Sequence, residues 1–94
     1  MDNMELINNP NYTYYYKSPL GLFFIRYNPS MEKWDLGIND QVYGYYLTTI
    51  AAADDVYCQA TGCFEWDRLD LETISTKVPT DIYEWERRRN NKNG

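Results

Sequence analysis

Histidine is absent from this chain, and cysteine occurs only at Cys58 and Cys63. Without an imidazole there is no Ser-His or Cys-His relay, and the usual base at neutral pH is missing. A nucleophilic cysteine needs a cationic neighbour to hold it as thiolate. The charges nearest the two thiols are Asp54, Asp55, Glu65 and Asp67, all of the wrong sign. Two thiols also cannot complete a zinc site without carboxylates or a second chain. The pair is therefore expected to stay reduced and structural, as small buried apolar side chains. Gly21, Gly37, Gly44 and Gly62 stand singly, so no glycine-rich loop is available to cradle a phosphate. Paired acids such as Asp54-Asp55 or Glu65 and Asp67 have the chemistry of a glycosidase. A 94-residue chain leaves little room for the cleft that chemistry needs. No catalytic residue, metal site or cofactor is expected.

Long apolar runs are missing too, and nothing reaches the roughly 18 residues that a membrane-spanning helix requires. The first residues, MDNMELINNPN, are polar and acidic and lack the basic start and apolar centre of a secretory leader. These features point to a cytoplasmic protein with no membrane contact. Cations are scarce and unevenly placed: of nine Lys and Arg, four (Arg87, Arg88, Arg89, Lys92) fall in the last eight residues. Up to Glu86 the chain holds five cations against fourteen acids, a net of −9. Such a body repels nucleic acid phosphates and suits a basic partner. Nucleic acid binding is not expected.

What is abundant is tyrosine, ten in all. The pattern over 34–62 organises the rest. Trp34, Leu36 and Ile38 alternate with Asp35, Gly37 and Asn39, the period-two signature of a strand with one buried face. Asn39-Asp40-Gln41 supplies a turn, and 42–46 returns as an aromatic strand. Thr48 or Thr49 then caps a helix over about 50–60, with Ile50, Ala53, Val56 or Tyr57, and Ala60 inward and Gly62 ending it. Upstream, 12–17 (YTYYYK) and 22–27 (LFFIRY) read as strands, the second buried on both faces or central in its sheet. Residues 1–11 read as a loose lead-in. Phe64 and Trp66 are expected to anchor the connection that follows the helix. Thr80 or Asp81 caps a second helix over about 81–89, with Ile82 and Trp85 inward and residues 90–94 frayed. The core is expected to join Phe24, Trp34, Leu36, Ile38, Ile50, Ala53 and Val56. The chain thus reads as one α+β domain over 1–94: an antiparallel sheet of three or four strands, one packed helix and a short C-terminal helix.

Gly44-Tyr45, Thr48, Thr49, the run 51–56 (AAADDV), and Pro79, Asp81-Ile82 and Glu84-Trp85 resemble a group of small bacterial proteins. Those proteins share a G-x-Y-x-[ST] entry into an A-A-A-D-D-V helix and a P-x-D-[IL]-x-x-W ending. The group has no assigned activity, so the resemblance implies a fold unit and no site. Sheet-then-helix order is also similar to plant-type and integrase-type DNA-binding domains, which read DNA with basic and aromatic residues on the sheet. Here the expected strands hold only Lys17 and Arg26.

Six acids, Asp54, Asp55, Glu65, Asp67, Asp70 and Glu72, fall within nineteen residues. They keep a small domain soluble, or they form a surface for a basic protein. A sheet covered by helix on one side leaves the other open; Tyr15, Tyr43 and Tyr45 either lie there as interface anchors or roof a small core. The expected function is non-catalytic protein binding, as a small acidic inhibitor or immunity-type protein, possibly anti-defence, aimed at a basic, nucleic-acid-handling target. The partner-binding residues would be Asp54, Asp55, Glu65, Asp67, Asp70, Tyr15, Tyr43 and Tyr45. The alternatives are a small-ligand or nucleotide binder that uses the aromatic sheet face, and homo-oligomerisation through that face.

Overall fold

A computed structural model describes residues 7–73 and 75–90. The expected α+β domain forms, with five strands rather than four: β1 (Tyr12–Ser18), β2 (Gly21–Asn28), β3 (Lys33–Ile38), β4 (Gln41–Tyr46) and β5 (Glu86–Arg89). All neighbours are antiparallel, in the order β4-β3-β2-β1-β5, so the apolar β2 is central. Between β4 and β5 come α1 (Thr49–Tyr57), a short helix α2 (Phe64–Asp67) and a 3-10 turn (Ile82–Glu84).

Pairing of Phe23, Ile25 and Tyr27 with Ile38, Leu36 and Trp34 puts these side chains on one sheet face. Ala52, Ala53 and Val56 of α1 pack on that face, together with Trp66, Ile82 and Trp85 from the later segments. Trp66 is fully buried, its ring 5.0 Å from Phe23, and its Nε1 donates to the Val56 carbonyl at 3.0 Å. Burying an indole removes about 150–250 Å² from water, worth roughly 4–6 kcal/mol of transfer free energy. That single residue ties α2 beneath the end of α1.

Two expected core members lie elsewhere. Phe24 is buried on the opposite sheet face, beside Gly37 in the next strand. A Cβ at position 37 would meet the Phe24 ring at 2.4 Å, so the ring occupies the space that glycine leaves. Ile50 points to solvent, because Thr49 takes the buried position at the start of α1. Its Oγ1 donates to the Ile7 carbonyl, and its N–H donates to Asn8 Oδ1 at 2.8 Å. Ile7 is itself buried. The described end of the lead-in is therefore fastened to the helix; residues 1–6 lie outside the described ones.

The start of α1 matches one of the two expected caps, and its end differs from expectation. Thr48 is the cap, accepting from Ala51 N. The left-handed residue at the far end is Gln59 (φ 55), not Gly62. Gln59 N donates to Val56 O and Ala60 N to Asp55 O, the paired bonds of a Schellman ending. Glutamine tolerates this conformation because its Nε2 reaches the carbonyls of both Trp66 and Leu69 at 2.8 Å.

The expected C-terminal helix over 81–89 does not form. Asp81 caps a single turn by accepting from Tyr83 N, and Trp85 is already extended. A nine-residue helix is marginal alone, whereas β1 offers an unpaired edge. Pairing there sets Arg87 over the Tyr12 ring at 4.3 Å and Arg88 by Tyr15 at 5.7 Å. Strand alternation sends neighbouring arginines to opposite faces, which a helix end would crowd together. Tertiary pairing outweighs local propensity here. The expected fray begins at Asn90, which donates instead to the carbonyls of Asn11 and Pro10; residues 91–94 lie outside the described ones.

Candidate interaction surfaces

The eight residues expected at a partner surface divide between the two sides of the sheet. Tyr15 and Tyr45 lie on the uncovered face, opposite Phe24 and Asp35 respectively. Tyr43 does not join them. A register shift in β4 between Leu36 and Gly37 of its partner turns Tyr43 to the helix side, where it packs against the core. There it lines a cleft of about 500 Å³ with Cys63, Glu65 and Asp40. Partial burial pushes the Tyr43 phenol up from its ordinary value, and the neighbouring Cys63 and Glu65 add to this.

The acids lie on the helix side, and three of them are engaged in local structure. Asp55 accepts the Tyr46 hydroxyl at 2.6 Å, and burial followed by this bond raises the Tyr46 phenol strongly. Asp67 accepts from Thr61 N, Thr61 Oγ1 and Gly62 N, clipping the loop between the helices. Asp70 accepts from the side chain and backbone of Thr73, which lowers its carboxyl below the ordinary value. Glu65 is exposed, with the Cys63 thiol 3.7 Å from its Oε1. Of the six, Asp54 and Glu72 are exposed and without a side-chain hydrogen bond or ion pair among the described residues. The six acids thus divide into three structural clips and three exposed carboxylates, Asp54, Glu65 and Glu72.

Asp54 sits in unexpected company. The outer face of α1 carries Ile50, Ala51, Asp54, Tyr57 and Cys58 at helical spacing, with Leu47 just before the cap. Leu47 is 77% exposed, Ile50 41% and Tyr57 47%. This stripe is apolar except for the carboxylate at its middle. A signal was present in the sequence: α1 (TIAAADDVY) offers only Asp54 and Asp55 as charged positions, so a helix resting on one sheet must leave apolar groups outside. Phe64, expected as an anchor, is likewise 65% exposed, with the Arg68 guanidinium 4.8 Å from its ring.

The uncovered sheet face is thatched by its own long side chains. Arg26 lies 4.8 Å over Phe24 and 3.9 Å from Asp35, which also accepts from Asn28. Lys17, Tyr15 and Leu22 adjoin Arg88, which pairs with Glu86 along its own strand. Because β5 joins the sheet, this face holds more cations than the expected strands supplied.

The cysteines are free; Cys63 is buried as expected, whereas Cys58, at the C-terminal end of α1 on its outer face, is exposed. Among the described residues no three His, Cys, Asp or Glu side chains are grouped to hold a metal, and no helix is long and apolar enough to cross a membrane. No known protein family, curated protein or solved structure matches this chain.

Proposed function

We propose that the chain is a non-catalytic protein-binding module, an acidic inhibitor or immunity-type protein whose target is basic and handles nucleic acid. What supports this is the outer face of α1. Contiguous exposed apolar side chains on a small protein mark interaction sites, and Leu47, Ile50 and Tyr57 form such a stripe. Asp54 at its centre calls for a cation on the partner, and the net charge of −9 up to Glu86 favours the same sign. The face suits a different protein better than a second copy. Two such helices packed antiparallel about their midpoints would bring Asp54 against Asp54 in the desolvated centre.

The test is comparative affinity capture from host extract with three baits: wild type, Leu47→Asp with Ile50→Asp, and Tyr45→Ala on the opposite sheet face. A partner retained by wild type and Tyr45→Ala but lost with the helix-face pair supports the assignment. Equal retention by all three baits places the interface elsewhere and refutes it.

A further inference from the structure

The arginine strand is not used by the α1 surface, and its position changes what the uncovered sheet face can do. Two clefts adjoin there. One, of about 400 Å³, is lined by Tyr15, Lys17, Leu22, Glu86 and Arg88. The other, of about 220 Å³, is lined by Thr13, Tyr15, Leu22, Phe24 and Arg26, with Asp40 at its rim. Tyr15 and Leu22 belong to both, so the two form one groove with an aromatic ring at its middle and cations on either side.

We propose that this groove binds a nucleotide unit, its base stacked on Tyr15 and its phosphate held between Lys17 and Arg88. Lys17 is exposed and makes no hydrogen bond or ion pair among the described residues. Arg88 is tied only to Glu86, with their side chains 68% and 57% exposed. An exposed pair of this kind is worth about 0–1 kcal/mol, so a phosphate can displace the carboxylate. The guanidinium lies 5.7 Å from the Tyr15 ring, and with Glu86 displaced its N–H fork can meet two phosphate oxygens. Leu22, 41% exposed, supplies an apolar flank for the base. Arg26 beyond Phe24 can meet a second phosphate, as a single strand would present. A ring between cations suits a base with its phosphate better than a simple carboxylate, which uses only the cations. The acids facing the groove are Glu86, Asp35 and Asp40. Asp35 is engaged by Arg26 and Asn28, which leaves Glu86 beside Arg88 and Asp40 at the far rim as the opponents of the phosphate.

The groove is separate from the α1 surface, so either assignment can fail without the other. The experiment titrates isotope-labelled full-length protein with uridine monophosphate, oligouridylate and inorganic phosphate, following backbone amides by NMR at about 0.1 M salt. Shifts should cluster at Tyr15, Lys17, Leu22 and Arg88 with both nucleotide probes. Tyr15→Ala should weaken nucleotide binding by roughly fivefold to a hundredfold, the range for losing one stacked base, and Tyr15→Phe should retain it. Lys17→Glu should weaken it and reduce its salt dependence, whereas Glu86→Gln should tighten it. Lys17→Glu alters one exposed side chain and keeps the test valid if Tyr15→Ala unfolds. Oligouridylate binding more tightly than the monomer assigns the site to single strands; equal affinity per unit assigns it to free nucleotide. Inorganic phosphate binding as tightly as the nucleotides, flat titrations with both nucleotides, or loss of binding in Leu47→Asp with Ile50→Asp would each overturn the proposal.

Discussion

Gln59 sets two opposing energies against each other, so Gln59→Gly gives a sharp test of how α1 is held to the rest of the domain. A side chain in the left-handed region costs roughly 1–2 kcal/mol, which glycine would recover. Glycine also loosens the unfolded chain, at a cost of about 0.4–1 kcal/mol. The side chain donates to Trp66 O and Leu69 O, both at 2.8 Å. Two such bonds contribute about 1–3 kcal/mol together, and their loss strands two carbonyls in a half-buried turn. The balance favours glutamine by about 1 kcal/mol. Gln59→Ala, which loses the bonds and keeps the strain, should cost more, about 2 kcal/mol. Urea unfolding followed by tryptophan fluorescence reads both values, and each kcal/mol should move the melting temperature of a domain this size by about 4–8 °C. A Gln59→Gly protein more stable than wild type would show that backbone strain outweighs the side-chain bridge and refute this balance.

Gly37→Ala should destabilise the sheet by about 1–3 kcal/mol, as expected for overpacking, because its Cβ would lie 2.4 Å from both the Phe24 ring and the Gln41 carbonyl; unfolding midpoints measure this, and an unchanged midpoint would show that Phe24 is not seated there. A thiol reagent should modify Cys58 in the native protein and Cys63 only after unfolding, since the first is exposed and the second buried. Stability should fall as pH rises above about 10. Tyr14, Tyr16 and Tyr46 have raised values through burial, so the folded state keeps protons that the unfolded state releases. Their contribution is therefore complete below the ordinary tyrosine value and lost through the raised ones. Tyr16→Phe should lessen that alkaline loss in a pH series of unfolding curves, and a series unaffected by the change would place the ring in water.

The sheet from Tyr12 to Tyr46 was legible in the sequence because strand alternation there agrees with burial: Trp34, Leu36 and Ile38 face the core as their spacing requires. The helix was legible through the Thr48 cap, and Ala53 and Val56 face inward as their spacing requires; Ile50 and Ala60 do not, because Ile50, Ala52 and Ala53 differ little in polarity and the Asn8–Thr49 contact decides the rotation. The C-terminal strand was hidden for a related reason. Arginine carries no strand signal, and the pairing of Arg87 with Tyr14 and Arg89 with Tyr12 links residues more than seventy positions apart. On the surface, sequence located the acids but not their engagements. That Asp55, Asp67 and Asp70 serve Tyr46, Thr61 and Thr73 depends on folded geometry. The β4 irregularity that moves Tyr43 off the open face left no mark that alternation reveals.

The most direct test of the protein-binding assignment separates steering from anchoring on α1. Binding kinetics against the captured partner would compare Asp54→Lys with Leu47→Ala plus Tyr57→Ala across a salt series. The charge reversal should slow association and flatten its salt dependence, since screening shortens from about 10 Å at 0.1 M to about 3 Å at 1 M. The apolar truncations should leave association nearly unchanged and speed dissociation. Rate constants indifferent to both changes, in proteins that remain folded, would contradict binding through this face.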